Sequence, residues 1–155
     1  MKESFAKIEF WWRWLVLVSL GVSMFGLTLV IFPILTLEGF SLMIYSSASR
    51  IGEFGEPAVS YIRLVHAVLG AIMLAWGSAL LFVLFGTFQE NLSIGWKTVI
   101  GSVVAWFIPD TTFSLWSGFW QNAILNMFFM ILFAIPLIAI KRSLDSEDII
   151  GNKVG

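Results

Sequence analysis

The stretch Thr98–Ile140, TVIGSVVAWFIPDTTFSLWSGFWQNAILNMFFMILFAIPLIAI, carries a single charge in 43 residues, that of Asp110. A helix rises 1.5 Å per residue and a bilayer's hydrocarbon core is about 30 Å thick, so one crossing takes about 20 residues. The stretch is therefore long enough for two crossings folded as a hairpin, and the position of its turn decides the fold. A turn at Ser117-Gly118 gives a third helix over about 93–116 and a fourth over about 120–140, each bounded by Trp. A turn at Pro109-Asp110 uses favourable turn chemistry. It leaves, however, a short third helix, a fourth of about 30 residues, and Gln121, Asn122 and Asn126 near mid-membrane. The first placement is the preferred one.

Two further runs are free of Asp, Glu, Lys and Arg: Trp14–Leu37, of 24 residues, and Leu64–Gln89, in which His66 is the one titratable side chain. They predict a first helix over about 11–37 and a second over about 61–88. Residues of the AVILMFWYC set make up 59% of the 155 residues and charged residues 12%, against about 25% charged in a soluble domain. A soluble globular fold is excluded. The expectation is an all-α protein: a four-transmembrane-helix, up-down-up-down bundle forming one domain over 1–142, followed by a polar cytoplasmic tail over 143–155.

The N-terminus places Lys2, Lys7 and Arg13 before an apolar run, as a signal peptide would, but the run is too long and lacks a small-x-small cleavage site. It is read as a retained membrane helix. With an even number of crossings, Lys2, Lys7, Arg13, Lys97, Lys141, Arg142 and Lys153 share one side, and Arg50 and Arg63 the other. The excess of basic residues faces the cytoplasm, so both termini are expected there, in a bacterial cytoplasmic membrane. The connection 38–60 is then extracytoplasmic and long for a bundle; its Phe40–Tyr45 segment is suited to lying on the membrane or capping the helices.

Small residues mark two helix faces. Ala67, Ala71, Ala75 and Ala79 recur every four residues on the second predicted helix, and Ser19, Ser23 and Gly26 form a shorter stripe on the first. Apolar burial does not drive association in lipid, and small residues let helices approach closely. Of eight Trp, Trp11, Trp12, Trp14, Trp116 and Trp120 suit interfacial anchoring, which leaves Trp76, Trp96 and Trp106 to be accounted for otherwise.

Measured from the outer aromatic anchors, His66 lies about 7.5 Å inward, and Asp110 and Asn126 about 9 Å. Helical spacing sets Arg63, His66 and Gly70 together on the second predicted helix, Trp106, Asp110 and Ser114 on the third, and Asn122 and Asn126 on the fourth. These eight residues form a candidate polar layer in the outer leaflet. A carboxylate facing acyl chains is costly, so Asp110 is expected to face the bundle; Pro109 beside it removes a backbone donor and can release the Ala105 carbonyl, while Gly70 would leave space opposite. Two roles follow. Arg63 or His66 pairs with Asp110 and the Asn side chains complete a network that fixes helix register, or the layer lines a pocket walled by Trp106 and Trp76 in which Asp110 and His66 orient a ligand or exchange a proton.

The run Arg63-x-x-His66-x-x-x-Gly70-x-x-Met73-x-x-Trp76-Gly77, with Trp106-Phe107-x-x-Asp110-Thr111-x-x-Ser114-x-x-x-Gly118-x-Trp120-x-Asn122-x-x-x-Asn126, resembles small uncharacterised bacterial four-helix integral membrane proteins. The resemblance covers the second to fourth predicted helices and implies no activity. A weaker likeness is to the sterol-isomerase and sigma-2-type four-helix membrane fold, whose pocket uses several intramembrane acids and aromatics where this chain has Asp110 alone.

A net charge of −1 leaves no electrostatic footprint for nucleic acid. The absence of Cys excludes disulfides and thiolate sites, one His and one intramembrane Asp are too few for a metal, and no Gly-rich phosphate loop or other cofactor motif is present. The functions that remain are binding of a small apolar ligand or membrane lipid from the outer leaflet, a non-catalytic role beside a membrane-protein partner or a second copy, and acid-base chemistry by Asp110 and His66. Transport would require an oligomer.

Overall fold

The computed structural model describes residues 2–154, with side chains for 6–145. Six helices follow in order: α1 (Lys2–Ile31), α2 (Pro33–Tyr45), α3 (Glu56–Phe85), α4 (Thr87–Glu90), α5 (Leu92–Trp116) and α6 (Trp120–Val154), with a 3-10 turn over Arg50–Phe54 before α3. Among the described residues there is no strand. Four segments are long and apolar enough to cross a membrane: Ala6–Ile31, Glu56–Glu90, Leu92–Trp116 and Trp120–Asp145. The chain is a multi-pass, all-helical membrane protein.

The boundaries have local causes. The expected first helix over 11–37 starts earlier and stops at Ile31, because Pro33 pushes Phe32 out of the helical region, to φ −119° and ψ 59°. The chain resumes as α2, which occupies the first part of the expected loop 38–60. Gly55, at φ +86°, permits the sharp entry into α3, with Pro57 in its first turn. The Asn91 side chain caps α5 by accepting the Ile94 N–H at 3.0 Å. Pro109 lies inside α5, and the chain reverses at Ser117-Gly118, where Gly118 has φ +81°. Asp110 is therefore a helix residue and the alternative turn at Pro109-Asp110 does not form. Helix continues past 140 to Val154, through the expected tail.

The tightest packing is between α1 and α3. A Cβ on Gly26 would sit 2.6 Å from the Gly70 carbonyl oxygen, and one on Gly77 would sit 2.8 Å from the Ser23 nitrogen and 2.9 Å from the Ser19 carbonyl oxygen. No side chain fits between these backbones. Trp12 closes the contact lower down, its indole donating to the Leu84 carbonyl at 2.9 Å, so partner numbers fall along α3 as they rise along α1. The small face of α3 is thus Gly70 and Gly77. The alanine ladder is rotated away from α1, with Ala71, Ala75 and Ala79 exposed, because two glycines allow a closer backbone approach than any alanine can.

Helix α6 packs on α5 and α1. Phe133, Leu137 and Ile140 are fully or almost fully buried with Leu15, Val99 and Val103. Pro136 has no N–H for the Leu132 carbonyl, and Trp14 supplies one instead at 3.1 Å; Trp96 likewise donates to the Leu137 carbonyl at 2.8 Å. A smaller cluster of Leu37, Ile51 and Val59 ties α2 and the 3-10 turn to α3. Buried Ser41 holds this cap, its hydroxyl donating to the Ser47 carbonyl at 2.6 Å and accepting from the Ile51 N–H at 3.2 Å. Helices α3 and α5 touch only sparingly.

Gly77→Ala is expected to lower the thermal stability of the detergent-solubilised protein by about 1 to 3 kcal/mol, the usual cost of overpacking. Ala75→Leu, on the exposed face, is expected to change it by no more than about 0.5 kcal/mol. Comparison of the two melting curves checks which face of α3 meets α1.

Candidate functional site

The sparse contact between α3 and α5 leaves a cavity of about 670 Å³, closed behind by α1 and α6 and bordered by α2. That volume lies within the range of small-molecule sites. Leu69, Ile72, Met73 and Trp76 come from α3; Ser102, Ala105, Trp106 and Asp110 from α5; Asn122, Leu125, Asn126 and Phe129 from α6. Phe25 of α1 and Phe40 of α2 complete the wall. Leu69, Ile72 and Ala105 are exposed although they line it, so the cavity is open along α3 and α5.

The polar groups are gathered at one end. Trp106, Asp110 and Ser114 are spaced by one turn and lie on one face of α5. The Trp106 indole donates to Asp110 Oδ2 at 3.1 Å, and the Ser114 hydroxyl lies 3.3 Å from Oδ1 and 2.7 Å from the Asp110 carbonyl oxygen. From α6, the Asn122 amide donates to Asp110 Oδ1 at 3.1 Å and to Ser114 Oγ at 2.8 Å. Asn126, buried one turn on, donates to Thr111 Oγ1 at 3.3 Å instead of to Asp110. The tight turn after Trp116 makes these pairings possible, since residues equally far from it on α5 and α6 face each other. Above the cluster, the Trp76 and Trp106 rings lie 5.5 Å apart, and Trp76 also meets Phe133 at 6.1 Å.

Five of the eight candidate residues are thus joined directly or lie in the cavity wall: Trp106, Asp110, Ser114, Asn122 and Asn126. Arg63, His66 and Gly70 are elsewhere. Arg63 reaches toward Glu56, with Nη1 at 3.9 Å from Oε1, and its buried Nε has no partner. His66 Nδ1 lies 2.8 Å from the Ile62 carbonyl oxygen, and its ring meets Phe40 edge-on at 5.0 Å. Gly70 is sealed against Gly26 and leaves no space in the cavity. The three do share a helical face, as their spacing requires, but Gly70 commits that face to α1 and the α2 cap. The cavity-facing set on α3 is the neighbouring one, Leu69, Met73 and Trp76.

Sequence reasoning also overlooked Ser102, Thr111, Phe25, Phe40 and Phe129. Ser102 could have been found from its one-turn spacing to Trp106. Phe25 and Phe40 carry no such signal, because they reach the cavity only through the packing of α1 and the fold-back of α2. Among the described residues no group of three His, Cys, Asp or Glu side chains is placed to hold a metal. Comparison with known protein families, with curated proteins and with solved structures gives no match to this chain.

Asn122→Ala removes donors to both Asp110 and Ser114 and is expected to cost about 1 to 3 kcal/mol of stability. A double-mutant cycle of Asp110→Asn with Asn122→Ala should give a coupling energy of about 0.5 kcal/mol or more, whereas the cycle of Asp110→Asn with Arg63→Gln should stay within about 0.3 to 0.5 kcal/mol of additivity.

Proposed function

We propose that this protein binds a small, partly apolar molecule or a membrane lipid in the cavity between α3 and α5. The observation that carries the reading is the union, in one laterally open cavity of about 670 Å³, of an aromatic wall and a polar cluster around Asp110. A network that served only to fix helix register would be sealed by packing, as buried polar groups in membrane helices generally are. Here the neighbouring helix stands away from it. An acid-base enzyme built on Asp110 and His66 has less support, since His66 does not line the cavity and is engaged with Ile62 and Phe40.

The bundle is up-down-up-down in a bacterial cytoplasmic membrane, with both termini in the cytoplasm and the cavity in the outer leaflet. The distribution of Lys and Arg supports this orientation, and the opposed residue numbering of the α1–α3 and α5–α6 contacts supports the antiparallel pairing of those helices. Reporter fusions at the C-terminus should read cytoplasm, and those inserted between residues 46 and 56 should read exterior; the reverse pattern would place the cavity in the inner leaflet.

Binding is tested by mass spectrometry of molecules that copurify with the protein. Leu125→Trp fills the cavity and is expected to remove a specific copurifying molecule. Ile124→Trp, on the exposed face of the same helix, should retain it. Equal retention by both variants would overturn the reading.

A further inference from the structure

We infer that the cavity takes an amphiphilic organic cation, a protonated amine on an apolar body, with an ammonium N–H directed at Asp110 Oδ2. The inference rests on the reading of the cavity as a binding site and assigns the chemistry of what it binds.

A carboxylate has about four acceptor positions on its two oxygens. Among the described residues, Oδ1 receives the Asn122 amide and Oδ2 the Trp106 indole, while the single Ser114 hydroxyl proton goes to the Asp110 carbonyl oxygen at 2.7 Å, the nearer of its two acceptors. An acceptor position therefore remains on each oxygen, and the one on Oδ2 lies beside the Trp106 ring. All of these donors are neutral. Among the described residues no Lys, Arg or His forms an ion pair with Asp110, and the basic side chains nearest in the sequence pattern, Arg63 and His66, are turned to Glu56 and Ile62. Neutral dipoles reduce the cost of the ionised form of a carboxyl within the membrane, but they leave the charge of that form unbalanced. A cationic ligand balances it, and the hydrogen bond it makes is of the stronger, charge-assisted kind.

The wall points the same way. Trp76, Trp106, Phe25, Phe40 and Phe129 offer ring faces and edges to the same space, and aromatic faces attract cations while burying an apolar body. Among the described residues no cationic side chain lines the cavity, so an anionic headgroup would meet Asp110 without compensation. A second apolar hollow of about 210 Å³ beneath α2 shares Phe25, Phe40 and Leu125 with the first and extends the room for an apolar tail. The amine can belong to a free amphiphile or to the ethanolamine end of a phospholipid. The missing compensation for a phosphate group favours the free amphiphile.

The test compares three molecules of nearly one shape on the wild-type protein in nanodiscs of phosphatidylglycerol at neutral pH: diphenylpropylamine, diphenylpropanol and diphenylpropanoate. Binding is read from thermal stabilisation and from quenching of Trp fluorescence. The amine should bind about tenfold more tightly than the alcohol, the factor that one charge-assisted hydrogen bond supplies, and the carboxylate more weakly than either. In Asp110→Asn the amine should lose that advantage while the alcohol keeps its affinity; if this variant does not fold, the wild-type series decides once partition into protein-free nanodiscs, whose anionic surface itself enriches the amine, is subtracted. Equal binding of amine and alcohol, abolished for both by Leu125→Trp, would overturn the assignment of a cation and leave the cavity as a binding site. Absence of binding by all three, with no stabilisation on replacing phosphatidylglycerol by phosphatidylethanolamine, would overturn both. Stabilisation by phosphatidylethanolamine without binding of the free amine would support the cation and identify the lipid as its source.

Discussion

The rest of the molecule depends on the backbone contact between α1 and α3. Gly26 against Gly70, and Gly77 against Ser19 and Ser23, bring two helices closer than side chains would permit. In lipid this gain comes from dispersion and close fit, since withdrawal from hydrocarbon into an apolar interface releases little free energy. The contact also has a geometric consequence. Once α3 turns its glycine face to α1, its next face, with Leu69, Met73 and Trp76, must look toward α5. Those side chains are too large and too few to fill the interval, and the cavity is what remains.

A second constraint is that backbone polar groups have no water to turn to inside a bilayer. Pro136 leaves the Leu132 carbonyl without its helical donor, and the Trp14 indole takes that place; Trp12 donates to a carbonyl in the last turn of α3, and Trp96 to one on α6. Indoles near the basic ends of α1 and α5 thus act as cross-braces between helices as well as anchors at the boundary. Trp116 and Trp120, exposed beside the turn, make no such brace among the described residues. The same chemistry, an indole donor meeting an oxygen, recurs in the cavity wall between Trp106 and Asp110.

The polar cluster is the product of one short turn. Because Ser117 and Gly118 reverse the chain so tightly, Ser114 faces Asn122 and Thr111 faces Asn126. Asp110 is held from its own helix by Trp106 and Ser114 and from the next by Asn122, so its position is set by two helices at once. The carboxylate remains at the edge of an open cavity instead of inside a sealed core. That arrangement uses neutral hydrogen bonds to orient the side chain.

Much of this was legible in the sequence because the solvent imposes it. Charge-free runs longer than a bilayer is thick can be only helices in lipid, and the runs around Trp14–Leu37, Leu64–Gln89 and Thr98–Ile140 therefore determined the all-helical class and the number of long apolar segments. Spacing by one turn determined which residues share a face on each helix. What it could not determine is which face meets which neighbour. On α3 the alanine ladder and the pair Gly70, Gly77 were both small enough to pack, and the choice between them is made by the fit to Gly26 and Ser23 across the interface. That choice turns Arg63 and His66 away from Asp110, although depth alone sets them level with it. The α2 cap, with Phe40 brought to the cavity, is likewise beyond local reading, because Pro33 shows only that a helix is interrupted there, and the contacts of Leu37, Ile51 and Val59 decide where the chain goes next.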